Sequence, residues 1–354
     1  MTHRVIQWST GNVGAHTLRS IVLHPGLELA GLWVHSPDKV GRDAADLCGL
    51  DAPTGVVATN DAEALLASDA DVVCYTATGD LRPQEAVDDM CRFLRAGKHV
   101  VATSVVTLLY PPFAPSGWVR ELEAACEEGG TACFTSGIDP GFANDLLPLV
   151  VSGFSERIDA IRVVENLDYS TYMQPEVLFE TMGFGQALDS TPLLLLPGAI
   201  GFAWGGVVHM IAAGLGEEID EIREVVERFP APHDFTTAVG PISEGTMAAL
   251  RFEVQGWVRG RAAIVVEHVT RMHPDMAPAW PQPPEGGGYR ISVEGSPSYT
   301  VDFSMMGEDG DHNTGGLVAT GMRILNAIPA VCASPPGVLS TLDLPLVTGR
   351  GLLS

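Results

Sequence analysis

Val5–Gly14 reads VIQWSTGNVG. A short apolar run with β-favouring residues, Val5 to Trp8, stops at Ser9, and glycines follow at Gly11 and Gly14. From Gly14 to about His24 the spacing of Ala15, Leu18, Ile21 and Val22 puts them on one helical face. Strand, glycine turn and helix in that order form a variant of the dinucleotide fingerprint, S-x-G-x-x-G, with Ser9 where the first glycine usually stands. Gly11 lets the backbone approach a pyrophosphate. Gly14 lets the helix lie close to the strand, and the helix start offers N–H groups to the phosphates. Ser9, Thr10, Gly11, Asn12, Val13 and Gly14 are therefore the first candidates for cofactor binding. The plainer alternative is an ordinary glycine-containing βα turn that binds nothing.

Moving outward, Leu27–His35 reads as a second strand. A site for NAD places Asp or Glu near the end of this strand to accept from the ribose 2′-hydroxyl. Here the chain continues as His35, Ser36, Pro37, Asp38, Lys39, Val40, Gly41, Arg42. An imidazole, a hydroxyl and two cations (His35, Ser36, Lys39, Arg42) suit a 2′-phosphate, so NADP(H) is the expected cofactor, with NAD(H) possible if Asp38 points inward. Asp71–Thr76 is the next strand, and Thr78 and Gly79, ahead of Asp80, should line the cofactor near its ribose. A helix follows from Pro83 to Ala96, then a strand His99–Ser104 that brings Ser104 to the cofactor, a helix Ser116–Glu128 and a strand Thr131–Thr135. This alternation predicts an α/β fold, a doubly wound parallel sheet of Rossmann type over residues 1–137.

At Ser136–Leu149 (SGIDPGFANDLLPL) the chain changes character. Asp139-Pro140-Gly141 reads as a turn and the start of a second, α+β domain over residues 138–313. It is expected to hold a strand through Val163–Leu167, a buried helix from about Pro197, and mostly antiparallel strands between Phe235 and Thr270, near Tyr289–Val293 and at Tyr299–Phe303. Pro274–Gly288 reads as a loop. A last helix, from Thr314 to Ala327, should end at Pro329.

The 354 residues suffice for two domains, and 46% hydrophobic with 18% charged residues suits a sizeable core. A formal net charge of −24 argues against nucleic acid or an anionic membrane as partner. Leu193–Leu215 lacks Asp, Glu, Lys and Arg, but Pro197, five glycines and acidic flanks favour a buried helix over a membrane span. The six cysteines are scattered, with no C-x-x-C, which suits free thiols in a reducing cytoplasm. MTHRVIQW runs straight into a strand, so no signal peptide is expected. No Cys/His/Asp cluster has metal-ligand spacing, and no G-x-S-x-G elbow is present.

VIQWSTGNVG from Val5, VHSPDKVGRDA from Val34, GIDPGFANDLLPL from Gly137, RFEVQG from Arg251, VEHVTRMHPDMAPAWP from Val266 and NAIPAV from Asn326 together resemble one family. It is that of the dihydrodipicolinate reductase-like proteins that include 2,4-diaminopentanoate dehydrogenases and native amine dehydrogenases, with actinobacterial members the most similar. The resemblance implies a Rossmann domain completed by the C-terminal segment from about 314 to 354, and an α+β domain that forms a homodimer and caps the cofactor. The paired histidines, nearby lysine and DAPSGT stretch of true dihydrodipicolinate reductases do not occur here. Where the amine dehydrogenases carry a catalytic glutamate, this chain has Val105 and Val106.

Hydride transfer needs a placed cofactor and a proton donor. Candidates for the donor are Asp139, Asn144, Glu165 and Tyr169, with Tyr172, His268 and His273 behind them. Each also has a plain structural role: a turn former, helix-start caps, a strand residue facing outward, packing aromatics. The expected function is an NAD(P)H-dependent oxidoreductase that transfers hydride to a small or medium apolar carbonyl, imine or activated alkene. The alternative is an NADP(H)-binding sensor or structural dimer without turnover.

Overall fold

The structure, a computed structural model, describes residues 2–79, 81–282 and 287–353. Asp80 and residues 283–286 of the Pro274–Gly288 loop lie outside the described residues. In chain order the strands are β1 (His3–Trp8), β2 (Leu27–Trp33), β3 (Val72–Tyr75), β4 (His99–Ala102), β5 (Ala132–Thr135), β6 (Arg157–Asp168), β7 (Glu221–Pro230), β8 (Phe235–Thr237), β9 (Gly240–Ile242), β10 (Met247–Val258), β11 (Arg261–Arg271), β12 (Gly287–Ser296), β13 (Tyr299–Phe303) and β14 (Gly337–Leu339). The helices are α1 (Asn12–Leu23), α2 (Ala44–Cys48), α3 (Ala62–Leu66), α4 (Pro83–Arg95), α5 (Ser116–Gly129), α6 (Leu146–Ser152), α7 (Ala199–Gly214) and α8 (His312–Ala333). Two compact units result: Met1–Phe142 with Leu317–Ser354, and Ala143–Gly316.

The first unit is built on a parallel sheet ordered β14-β5-β4-β3-β1-β2. The order reverses at β1, with β2 on one side and β3 on the other, which is where doubly wound sheets place their ligands. Both faces are covered, so the strands read as unbroken apolar runs. On one face Val5, Val101 and Phe134 meet Ile21 of α1 and Ile324, Leu325 and Ile328 of α8. On the other, Ile6, Val73 and Val100 meet Val87 and Phe93 of α4 and Leu122 of α5. Trp8 also stacks on Trp33 at 4.3 Å, with 7° between the ring planes.

Helix α8 departs from expectation at its end. It runs through Pro329 to Ala333 instead of stopping before the proline. Proline removes one backbone N–H and crowds the preceding turn. Here Ile328 and Val331, both 0% exposed, hold the last turn on the sheet regardless. The helix is long and apolar enough to cross a membrane. Its apolar residues instead fill the core of this unit, and Gly321 lets it approach α1 so closely that a Cβ there would lie 2.6 Å from the Thr17 hydroxyl.

The second unit is a mixed sheet ordered β13-β12-β6-β11-β10-β7, in which only β6 and β11 run parallel. Strands β8 and β9 form a separate hairpin. Strand β7 (EIREVVERFP) was not legible in the sequence: it is an exposed edge whose charges mask any alternation. Helix α7 lies on one face, where Gly256 is required because a Cβ would sit 2.3 Å from Val208 Cγ1. The opposite face carries a lattice of charges. Arg251 Nε donates to Glu267 at 2.6 Å, Arg251 Nη2 and Arg162 Nη1 each donate to Glu253 at 2.8 Å, and Arg162 also reaches Glu267.

One acid organises the loop after β2. Asp43 caps α2 and accepts from Ala45 N at 2.8 Å, Thr54 N at 3.0 Å, Thr54 Oγ1 at 2.9 Å and Gly55 N at 2.9 Å. These donors, the Thr54 and Ala45 amides above all, lower its pKa from 3.8 to about 2. A depressed folded-state pKa stabilises the fold above the unfolded value and loses that effect as pH falls through the folded one. Asp43→Asn should therefore lower the urea midpoint by a constant amount above about pH 5, and its gap to the unsubstituted protein should close between about pH 4 and 2. Parallel urea titrations across that range check it.

Candidate active site

The turn after β1 has the geometry a diphosphate needs. Ser9, at the position of the fingerprint's first glycine, takes φ +84°, the left-handed region that glycine enters at little cost. Gly11 is the N-cap of α1 and brings no side chain to the helix start. A Cβ on Gly11 would meet nothing within 4 Å, whereas one on Gly14 would lie 2.5 Å from the Ser9 carbonyl oxygen and 2.8 Å from Thr76 Oγ1. The first glycine keeps the approach open and the second lets α1 close on β1. Gln7, fully buried in the middle of an apolar strand, braces the turn by donating to Ser9 O at 2.8 Å and Thr76 Oγ1 at 2.7 Å. Neither Gln7 nor Thr76 was among the sequence candidates, though an amide inside VIQW was the available signal.

Lys39 is drawn to this turn: its Nζ donates to Thr10 O and Thr10 Oγ1, both at 3.1 Å. His35 is exposed and Ser36 half-buried at the end of β2, while Asp38 is exposed on a short 3-10 turn over Pro37–Lys39. Arg42 turns toward the Asp46 carbonyl, at 3.4 Å. Asn12 is exposed and Val13 half-buried, its carbonyl accepting from Thr17 Oγ1 at 2.7 Å. Thr78 is exposed and Gly79 buried against Ser104 and Val105. The Ser104 hydroxyl is buried and donates to Ala77 O, which fastens the carboxyl ends of β3 and β4 together.

Beyond β4 and β5 a small cleft of about 50 Å³ is lined by Thr103, Val106, Thr135, Ser136, Asp139 and Thr320, among others. Thr135 is 3% exposed and its hydroxyl has no hydrogen-bond partner among the described residues. Asp139 precedes Pro140 through a cis peptide bond. Val105, 2% exposed, holds φ +57°. The buried Arg323 of α8 fixes the neighbourhood by donating to Thr341 Oγ1 at 3.1 Å and Ser136 Oγ at 3.4 Å.

The second unit concentrates polar chemistry in one cross-strand row. Register sets Phe303, Tyr289, Glu165, His268 and Phe252 side by side on β13, β12, β6, β11 and β10. Tyr289 Oη donates to Glu165 Oε1 at 2.7 Å, and His268 Nε2 lies 3.7 Å from Glu165 Oε2. All three are buried, at 1%, 8% and 3% exposure. His268 stacks on Phe252 at 4.6 Å with 16° between planes, and Trp204 of α7 covers both rings, at 4.6 Å from His268 and 5.0 Å from Phe252. An acid, a base and a phenol therefore share an aromatic, largely water-free face. Tyr172 belongs to the same neighbourhood: burial, and then the charge of Glu165, push its pKa up to about 12.

Other candidates fall elsewhere. Tyr169 stacks on Tyr172 at 4.7 Å. Asn144 and Asp145 are fully buried, and Asp145 caps α6 through the Leu146 amide. His273 is half-exposed and accepts from Asp275 N at 3.3 Å. Beyond the ends of β6 and β11, Asp168, Arg271, Asp309, Asp311 and His312 line a larger cavity of about 600 Å³. The buried Arg271 guanidinium there is held by Asn166 Oδ1 and by the carbonyls of Met276, Ala277 and Pro281. Tyr289 and Phe252 were missed because only strand register brings them into the row of Glu165, and Trp204 because only the packing of α7 on the sheet sets it over His268 and Phe252.

A doubly wound parallel sheet with a glycine turn at its switch point, joined in one chain to a mixed sheet bearing a buried acid, defines an oxidoreductase. Residues 142–350 match the family described as the 2,4-diaminopentanoate dehydrogenase C-terminal domain. The chain is 43% identical over 351 residues to an amine dehydrogenase of Streptomyces virginiae, covering 98% of each. It is 23% identical to the 2,4-diaminopentanoate dehydrogenase of Acetoanaerobium sticklandii, over 73% of this chain and 70% of that one. The solved structure of an amine dehydrogenase from Mycobacterium smegmatis shares the fold, with a TM-score of 0.76 at 21% identity, over 98% of this chain and 97% of that one. The chain belongs to the 2,4-diaminopentanoate dehydrogenase and amine dehydrogenase family of oxidoreductases.

The 2.5 Å approach at Gly14 gives a direct test. Gly14→Ala should lower stability by about 1–3 kcal/mol, because the obstructing atom is backbone and cannot rotate away. Denaturant unfolding of the pure variant measures it, and an unchanged midpoint would refute the packing argument.

Proposed function

We propose that the protein is an NADP(H)-preferring oxidoreductase that interconverts small or medium apolar carbonyl or imine compounds with the reduced alcohol or amine. Support comes from the start of α1 at Gly11, where a Cβ would meet nothing within 4 Å and a diphosphate could approach the backbone, and from the amine dehydrogenase relative at 43% identity. The observation that carries the reading is the buried Glu165, held by Tyr289 beside His268 on an aromatic face. When bound, the nicotinamide supplies or accepts the hydride. In the direction of reduction the substrate carbon gains the hydride, the π pair moves to oxygen or nitrogen, and Glu165 delivers the proton that heteroatom takes up. Oxidation reverses each step, with Glu165 accepting the proton. Phe252 lies in the same cross-strand row as Glu165, and Trp204 packs over Phe252 and His268, so the rings favour apolar substituents and limit water at the acid.

In this reading Ser9–Gly14 hold the diphosphate, and Lys39, poised over Thr10 with His35, Ser36 and Arg42 nearby, meets the ribose 2′-phosphate. Thr78 and Gly79 line the ribose, and Ser104 keeps that wall in place. Thr135 and Ser136 would be able to offer hydroxyls to the cofactor. Asn144 and Tyr169 of the second unit would belong to the substrate side, and Asp139 of the first unit is a further candidate for the proton. The activated alkene remains within the substrate class. The charge-lattice face of the second unit, with its self-matching rows of arginine and glutamate, would meet a second copy in a homodimer.

The test is turnover of NADPH with a panel of C4–C8 ketones, with and without ammonium, followed at the nicotinamide absorbance band. Oxidation should be faster with NADPH than with NADH, and the reverse preference overturns the NADP(H) assignment. Lys39→Ala should weaken NADPH about tenfold and leave NADH within about twofold, consistent with the loss of one exposed phosphate contact. Gly11→Asp should abolish binding of both cofactors by calorimetry. Glu165→Gln should lower kcat by about 100-fold or more, the usual weight of a general acid. Cofactor binding without turnover across the panel would favour a sensor instead.

A further inference from the structure

We propose that Tyr289 is the positioning residue that makes Glu165 usable as an acid. The role rests on the function assigned to Glu165 above. Glutamate carries three rotatable bonds, and among buried aromatic rings an unheld carboxyl group would turn toward whatever donor it found. Tyr289 removes that freedom. Its hydroxyl donates to Oε1 at 2.7 Å, from the residue directly opposite Glu165 in the β12–β6 register. The phenol cannot itself wander: its ring is 1% exposed and stacks on Phe303 at 5.9 Å with 25° between planes. On the other flank His268 is also a direct register neighbour, but its Nε2 is 3.7 Å from Oε2, too long to fix the group by a hydrogen bond. Tyr289 thus anchors one oxygen of the carboxyl, and the other faces His268 at 3.7 Å. His268 in turn is held between Phe252 and Trp204, so the row is rigid from both ends.

The arrangement separates two duties that one residue cannot perform together. Glu165 exchanges the proton, and Tyr289 holds the rotamer while keeping its own proton on the phenol. Tyr289 does not touch the reacting atoms in this scheme; it acts through Glu165 alone.

Tyr289→Phe removes one oxygen and leaves the ring and its stacking in place, so the fold should survive. With the ketone of the panel that turns over fastest, kcat should fall about 10- to 100-fold with KM changed less than about twofold, as expected for misplacing a reacting group by a fraction of its reach. In a Glu165→Gln background the same substitution should cost less than about twofold, because both changes disable one unit. Tyr289→Phe at the full rate while Glu165→Gln is slow overturns the role of Tyr289 alone. An equal loss from Tyr289→Phe in both backgrounds also overturns it, since Tyr289 would then act independently of Glu165. A full rate in Glu165→Gln, or no turnover by the unsubstituted protein, overturns the function of Glu165 and the role of Tyr289 with it.

Discussion

The fold of the nucleotide-type unit depends on how closely α1 can lie against β1. At Gly14 the distance left for a side chain is 2.5 Å to the Ser9 carbonyl oxygen, so no other residue fits without moving backbone. That approach aims the start of α1 at the carboxyl ends of the strands. It also draws Ser9 into a left-handed conformation, which Gln7 and Thr76 support from below through the Ser9 carbonyl and each other. A turn of this kind trades local backbone strain for a row of oriented amides. The helix dipole then adds a fixed positive end to a protein whose overall charge is −24, which supplies locally what the long-range field denies to an anion.

The second unit solves a different problem: placing ionisable groups inside an apolar layer. A buried carboxylate without donors would be costly, and here the cost is offset by a phenol on the next strand. Both faces of this sheet are polar in places, for different reasons. Under α7 one acid, Glu165, sits in a row of aromatic rings. On the far face Glu253 and Glu267 are buried beneath Arg162 and Arg251, and each acid is matched by arginine nitrogens. Ion pairs arranged in this way contribute little net stability compared with apolar packing, but a broken one would leave a buried charge alone. They therefore specify register as much as they stabilise it.

The family's dehydrogenase chemistry and the valines at 105 and 106 bear on each other. Val105 is buried, and Val106 lines a small cleft together with Thr103, Thr135, Ser136 and Asp139, where the valine is only a wall. The chain does carry a buried carboxylate, at Glu165 on β6, with a phenol and an imidazole as neighbours. An active site asks for an acid of the right environment near the reacting bond; which strand provides it is a matter of topology.

By itself, the sequence determined what short-range physics controls. Glycines at 11 and 14, apolar runs of strand length and the βα alternation give the parallel sheet. Pro140, the glycine-rich stretches and the change in period after Thr135 mark the second architecture, and cap residues place most helix ends within a few positions. Helix α8 shows where that reach stops: Pro329 signals an end locally, and burial of Ile328 and Val331 on a sheet hundreds of residues distant overrides it. The edge strand β7 and the short β14 escaped for the same reason, since each is defined by a neighbour rather than by its own pattern. Glu165 was visible as an oddity on an apolar strand, but Tyr289, 124 residues later, was one strand residue among many. Only tertiary structure decided that they meet, because cross-strand register is fixed by the pairing of whole strands, and a shift of one residue would have turned the phenol to the opposite face.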